Sequence, residues 1–276
     1  MRQILNVMSL RPFSDVWASQ LGPILSGKPV SEVFCGDVIF YNALRRLLPD
    51  VPMTVRFHNF FGLALSRWRW RGADIDLHFR LTLALTARLE RRICSDRLVH
   101  PIFINPRERD FFDLMWPGRP SEVWGVEVAA APEIRRPTQP RLIYMGGTAS
   151  HQLVGIRFLI DRVVPRLRNR HPALELHLWG EGTERLDKRG DGVHGHGFWS
   201  DSGLPMGGDG LFVVPDLLGG GIKVKTGDAL REGLAFITTP FGAEGYEYEP
   251  VGGRLVAEMD AWPEAIESYF EEISVF

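Results

Sequence analysis

Apolar and polar positions along this 276-residue chain switch repeatedly between two periods. Short apolar runs at Arg141 to Met145, Leu174 to Trp179, Val193 to Phe198, Gly210 to Pro215 and Ala235 to Thr239 each stop at a glycine turn or at Pro. Between them, Phe158 to Leu167, Lys223 to Arg231 and Pro263 to Ile273 carry helical spacing. Strands that alternate with helices predict a parallel, doubly wound sheet. Its ligands lie beyond the carboxyl ends of the strands, where these glycines fall. The first half repeats the pattern less cleanly. Strands are expected at Val33 to Tyr41, Met53 to Phe57 and Leu98 to Ile104. Helices are expected at Asn42 to Leu48, Leu77 to Cys94 and Pro106 to Met115. The Pro-rich stretch Arg135 to Pro140 divides the two patterns, giving domains over 1–133 and 138–276.

Charge divides at the same place. Residues 1–137 carry 19 Lys and Arg against 14 Asp and Glu; residues 138–276 carry 13 against 20. A basic first half and an acidic second half suggest two domains with different partners. Two cysteines, Cys35 and Cys94, sit in no paired motif and imply neither a disulfide framework nor a zinc site. No signal-peptide pattern and no apolar run of about 18 residues is found, so a cytoplasmic location is expected.

The segment 219–245, GGGIKVKTGDALREGLAFITTPFGAEG, concentrates candidate chemistry. A glycine loop that opens a helix gathers unpaired backbone N–H groups and the positive end of the helix dipole, which suits a phosphate. Lys223 and Lys225 lie on the first turn, two of only four lysines against 28 arginines. Asp228 follows Lys225 by three residues and shares its helix face. A carboxylate there can accept from a ribose diol. The loop alone reads either as a phosphate site or as a glycine-rich surface turn; as a site, Gly220, Gly221, Lys223 and Lys225 are assigned to a diphosphate and Asp228 to a ribose. Glu244, at the end of the next strand, reads either as a site carboxylate or as a solvated turn residue.

This string resembles the sugar-nucleotide half-site of retaining bacterial glycosyltransferases of the "group 1" (family 4-like) type, which usually carry Glu-Ala-Leu where Asp228-Ala229-Leu230 stand. The resemblance covers roughly Pro140 to Ala265 and extends more weakly over Val33 to Ala131, through His58-Asn59 and Gly125-Val126-Glu127. It implies a GT-B-like α/β fold, two Rossmann-like doubly wound parallel-sheet domains facing a cleft. It also implies that Gly146, Gly147 and Thr148 face that cleft, that Gly197 and Phe198 lie near the nucleobase, and that no resident metal or cofactor is needed. The donor would be a nucleotide-diphosphate sugar and the acceptor a saccharide or lipid-linked glycan of envelope polysaccharide assembly.

Two departures qualify the resemblance. The acidic residue that many relatives carry eight positions before the ribose carboxylate is Gly220 here, and the N-terminal strand lacks the usual glycine turn. A first domain shortened by one or two strand-helix units is expected. The alternative is a non-catalytic nucleotide-sugar-binding or partner subunit. Catalysis is assigned to Lys225, Glu244 and His58, whose imidazole either meets the donor sugar, relays a proton or is structural. His194 and His196 share a strand face, where metal binding is possible, but with no third ligand nearby no metal site is assigned. Arg67-Trp68-Arg69-Trp70-Arg71 alternates indole and guanidinium. It reads as a contact to the inner-leaflet surface or a lipid acceptor, as a loop, or as a nucleic-acid contact; an acidic chain disfavours the last.

Overall fold

A computed structural model describes residues 10–71, 77–200, 204–247 and 253–276. Contacts divide the chain into two compact units. One comprises Met1–Val126 with Gly219–Ile222, the other Glu127–Leu218 with Lys223–Phe276. The segment 127–133, expected with the first domain, thus groups with the second unit, and the glycine bend groups with the first.

The first unit runs α1 (Leu10–Leu25), β1 (Val33–Cys35), α2 (Tyr41–Leu47), β2 (Met53–Phe57), α3 (Phe61–Arg71), α4 (Leu77–Ser95), β3 (Val99–Phe103), α5 (Pro106–Met115) and β4 (Glu122–Val123). Its four strands pair in parallel in the order β1-β2-β3-β4. Met53, Val55 and Phe57 of β2 point into the core, the two-residue alternation of a strand. Phe57, Phe60, Phe103 and Phe112 stack there, with successive ring centroids 5.1–5.4 Å apart. α5 begins where the sequence says it should: Asn105 caps Arg107 N at 2.9 Å and Pro106 takes the first helical position. The expected strand Val33 to Tyr41 ends early, at Cys35. Gly36 and Asp37 turn the chain, and the Asp37 carboxylate accepts from Ile39 N at 3.0 Å to start a short 3-10 turn. Cys35 and Cys94 are buried free thiols whose pKa values are pushed up chiefly by that burial.

Two buried glutamates organise the turn between β2 and α3. Glu90 of α4 accepts from Phe61 N and Gly62 N, both at 2.8 Å, and so caps α3 from 28 residues away. Glu108 of α5 accepts from Phe60 N at 2.8 Å. Burial pushes the Glu90 carboxyl from 4.5 up to about 8; the two backbone N–H groups oppose that and Glu108 adds to it. A raised carboxyl pKa contributes stability that is complete below the unfolded value of 4.5 and is lost as pH rises through about 8. Glu90→Gln cannot titrate, and its amide NH₂ faces one backbone donor. The variant should be less stable than the parent at pH 5, with the gap closing by up to about 1.4 kcal/mol per pH unit towards pH 8. Urea melts at several pH values check this; parallel stability curves would refute it.

The second unit runs β5 (Arg141–Met145), α6 (Ser150–Phe158), α7 (Val164–Arg168), β6 (Glu175–Trp179), β7 (Val193–Gly197), β8 (Leu211–Val214), α8 (Val224–Arg231), β9 (Phe236–Thr238), α9 (Pro240–Ala243), β10 (Arg254–Val256) and α10 (Trp262–Glu272). All six strands are parallel, in the order β10-β9-β8-β5-β6-β7. The helix expected at Phe158 to Leu167 is instead α6 and α7 joined by a π-helical turn, Leu159–Val163. Pro165 supplies the reason: its ring cannot join a regular i−4 ladder, so the turn before it widens. One sheet face carries Leu142, Tyr144, Leu176 and Leu178 against Ile156, Leu159, Trp262 and Phe270. The other carries Ile143, Phe212 and Phe236 against Ala229 and Leu230 of α8. From β5 the chain winds outward through β6 and β7, then returns to β8 on the other side. The topological switch point therefore lies between β5 and β8, where open α/β sheets bind ligands.

Candidate functional site

At that switch point the second unit collects a compact set of polar side chains. Asp216, just past the end of β8, is only 6% exposed. Its carboxylate meets Lys225 Nζ at 2.9 Å. The same ammonium lies 4.7 Å from the centre of the Tyr144 ring, at the end of β5. A Cβ placed on Gly146 would come within 3.4 Å of it, so Lys225 sits against the glycine turn itself. Lys223, at 9% exposure, holds its Nζ 4.2 Å over the Phe241 ring, and its carbonyl accepts from Tyr246 Oη at 3.1 Å. His151, on the first turn of α6, joins them electrostatically. Burial chiefly lowers its pKa; Asp216 opposes that, and Lys223 and Lys225 reinforce it. An imidazole and two ammonium groups beside a glycine turn are donors suited to an anion.

The neighbouring strand ends form a shelf. Gly146 N donates to Trp179 O at 2.8 Å, and Gly180 N donates to Gly197 O at 2.7 Å. Gly180 sits at φ +136°, and a Cβ there would fall 2.1 Å from Gly146 O, so no other residue fits this seam. Thr148 Oγ1 donates to Glu181 O at 3.1 Å, and Gly197 N donates to Thr183 Oγ1 at 3.0 Å. Phe198 follows with its ring exposed. Gly146, Gly147, Thr148, Gly197, Phe198, Lys223 and Lys225 thus all lie along the carboxyl edge of one sheet. Asp228 is half-exposed on α8 and paired with Arg231. Thr226 Oγ1 donates to Gly242 O at 2.8 Å, which ties α8 to the loop carrying Glu244.

The triple-glycine bend needs correction. Gly221 N donates to the buried Glu108 carboxylate of the first unit, and Asn105 Nδ2 donates to Gly221 O at 2.9 Å. A Cβ on Gly221 would lie 2.3 Å from His58 O, and its φ is +64°. On Gly220 it would meet Asn59 Cβ at 3.0 Å and Glu108 Oε1 at 3.1 Å. Gly221 is therefore required by packing against residues 58–59, Gly220 is tightly packed against residues 59–60 and 108, and the Gly221 amide is already committed to a carboxylate. His58 follows β2 with an exposed ring. Its Nε2 donates to Gly36 O at 2.8 Å.

Sequence reasoning missed Asp216 and His151. Each follows a readable strand end or glycine turn, but neither belongs to a spaced motif. It also missed half of a histidine cluster: β6 sets Glu175 and His177 beside His194 and His196, supplying the third group thought absent. Arg67–Arg71 is helical, the end of α3, so the loop reading is set aside; the side chains of residues 68–71 lie outside the described set. Among the described residues no helix is long and apolar enough to cross a membrane.

Comparison with known proteins agrees with this layout. Residues 139–272 match the family described as "Glycosyl transferases group 1". No curated protein sequence matches. Among solved structures, TarM aligns with a TM-score of 0.65 at 11% identity, over 95% of this chain and 52% of that one. The pneumococcal O-GlcNAc transferase GtfA, solved with UDP and GlcNAc, aligns at 0.57 and 12% identity, over 93% and 51%. WaaG, a glycosyltransferase involved in lipopolysaccharide biosynthesis, aligns at 0.50 and 12%, over 96% and 88%. The chain spans about half the length of the first two, and at these identities the likeness is one of fold. With two parallel α/β sheets and these structural likenesses, the chain has a GT-B-like fold, and just under half of it, residues 139–272, matches the group 1 glycosyltransferase family model.

Proposed function

We propose that this protein is a retaining, metal-independent glycosyltransferase that moves a sugar from a nucleotide-diphosphate donor to a saccharide or lipid-linked acceptor in cell-envelope polysaccharide assembly. The observation that carries the reading is the placement of Lys223 and Lys225 at the switch point of a sheet whose sequence matches the group 1 glycosyltransferase family model. Departure of a nucleoside diphosphate leaves negative charge on the β-phosphate as the sugar carbon turns electron-poor. Ammonium groups fixed beforehand beside that oxygen lower the barrier without reorganising. In this reading Lys223 and Lys225 hold the diphosphate, and the Gly146-Gly147-Thr148 turn gives it a close backbone wall. Asp228 takes the ribose hydroxyls, and Gly197-Phe198 flanks the base. Glu244 and His58 are the candidates to contact the donor sugar or relay a proton. Arg67 to Arg71 is the candidate surface for a lipid-linked acceptor at the inner leaflet.

The test is donor turnover by the purified chain across a panel of uridine and guanosine diphosphate sugars, with and without acceptor. Loss of the Asp228 carboxylate in Asp228→Ala removes charged hydrogen bonds, so the donor KM should rise about tenfold or more with a smaller change in kcat. Nucleotide binding with no turnover under any acceptor condition would favour the partner-subunit role. Product formed without acceptor would point to an isomerising enzyme.

A further inference from the structure

On the β6-β7 side of the second sheet, away from the lysine corner, three imidazoles and a carboxylate gather on one face. Glu175, His177 and Trp179 alternate along β6, and His194 and His196 alternate along β7; the parallel register sets His177 beside His194. His177 Nε2 lies 3.1 Å from Glu175 Oε2, and His194 Nε2 lies 3.4 Å from Glu175 Oε1. All three ligand atoms fall within 4.8 Å of one another. We propose that Glu175, His177 and His194 bind a transition-metal ion of the zinc type, which staples edge strand β7 to β6.

Four observations support this. Ligands about 2.0–2.2 Å from a tetrahedral zinc stand roughly 3.3–3.5 Å apart, close to the spacings already present. Two imidazoles and one carboxylate are the donor set zinc accepts, and magnesium does not favour it. The His194 Nε2 atom is sealed from solvent and, among the described residues, makes no hydrogen bond of good geometry although Glu175 Oε1 stands 3.4 Å away, an arrangement that an ion between the two would satisfy. Finally, His177 has a partner for its other nitrogen: Nδ1 lies 3.0 Å from His196 Nε2. With Nε2 directed at an ion, Nδ1 carries the proton and donates to His196, which fixes the tautomer as outer partners of metal-binding histidines do. His196 is itself held by stacking on Trp179, with centroids 3.8 Å apart and planes within 8°. Glu175 and His194 keep 39% and 20% side-chain exposure, which leaves room for a water as fourth ligand. The role is structural: the strap lies beside the register shift between Leu178 and Trp179, where the ladder is weakest.

A second group, His171 with Glu267 and Glu271, has similar spacing but is committed elsewhere. His171 stacks on Phe276 at 3.6 Å, and Glu267 is paired with Arg170 at 2.7 Å. It serves as the internal control. The untagged full chain, stripped with a chelator, is titrated with zinc and separately with magnesium by calorimetry. One zinc per chain is expected, no magnesium, and a raised melting temperature with zinc. Glu175→Gln and His194→Asn should each weaken zinc binding at least tenfold, His196→Phe roughly tenfold, and His171→Ala not at all. Should a variant fail to fold, imidazole NMR of the parent reads the same site: His177 and His194 signals move with zinc while His171 stays. Absence of saturable zinc binding, unchanged affinity in both ligand variants, or shifts confined to His171 would overturn the proposal.

Discussion

Lys225→Ala is expected to lose sugar transfer by about a hundredfold or more and to lower stability at the same time. The activity estimate follows from removing one preorganised donor at a developing oxyanion, worth on the order of 10²–10³ in rate. The stability loss comes from Asp216. Its carboxylate is 6% exposed and meets Lys225 at 2.9 Å. Removing one partner of a fully buried pair costs about 3–5 kcal/mol, and the partly exposed lysine puts this case towards the low end of that range. Lys225→Arg separates the two effects. It keeps the charge on Asp216, so stability should largely return. The wider guanidinium cannot sit against the Gly146 turn as the ammonium does, so kcat should stay low. Chemical melts and single-turnover rates on the two variants check this. A Lys225→Ala protein that is stable and fully active would remove the lysine from the account.

Glu108→Ala should be the most destabilising change in the first unit. This side chain has no exposure and accepts from both Phe60 N and Gly221 N. Truncation strands two buried backbone donors at about 1–3 kcal/mol each, and opens a cavity beside them. A loss of roughly 3–5 kcal/mol is expected, reading the two donor losses together with the cavity term. Glu108→Gln should lose less, because both backbone donors meet the same oxygen, Oε1, and an amide oxygen in its place can still accept from them. The measurement is the urea midpoint with the slope compared between variants. A change below about 1 kcal/mol, as for an exposed residue, would show that the glycine bend is not anchored this way.

How far the sequence reached follows from which forces are local. Leu174 to Trp179 and Gly210 to Pro215 could be placed because short apolar runs that end at glycine or proline have few other solutions in a parallel sheet. α1 and α3 could not. The alternation Arg67-Trp68-Arg69-Trp70-Arg71 has a strand-like period, and α3 owes its start to Glu90, a cap far along the chain. The helix that carries the lysines and Asp228 was legible from the sequence around it. Their partner Asp216 was not, because it becomes adjacent only once β8 and α8 are packed. The glycine bend was read as a ligand cradle from a valid local argument. Glu108, more than a hundred positions away, uses the amide that argument reserved for phosphate. The histidines of β7 were seen as a pair, but the register that adds Glu175 and His177 is a property of the sheet.

The central claim is that the Lys223–Lys225 corner of the second unit holds a nucleotide's diphosphate. Calorimetric titration of the purified chain with UDP, GDP and the parent nucleosides tests it most directly. One of the diphosphates should bind saturably, with its nucleoside at least a hundredfold weaker, and Lys223→Ala should abolish that difference. Equal affinity for nucleoside and diphosphate, or no binding of either diphosphate, would contradict it.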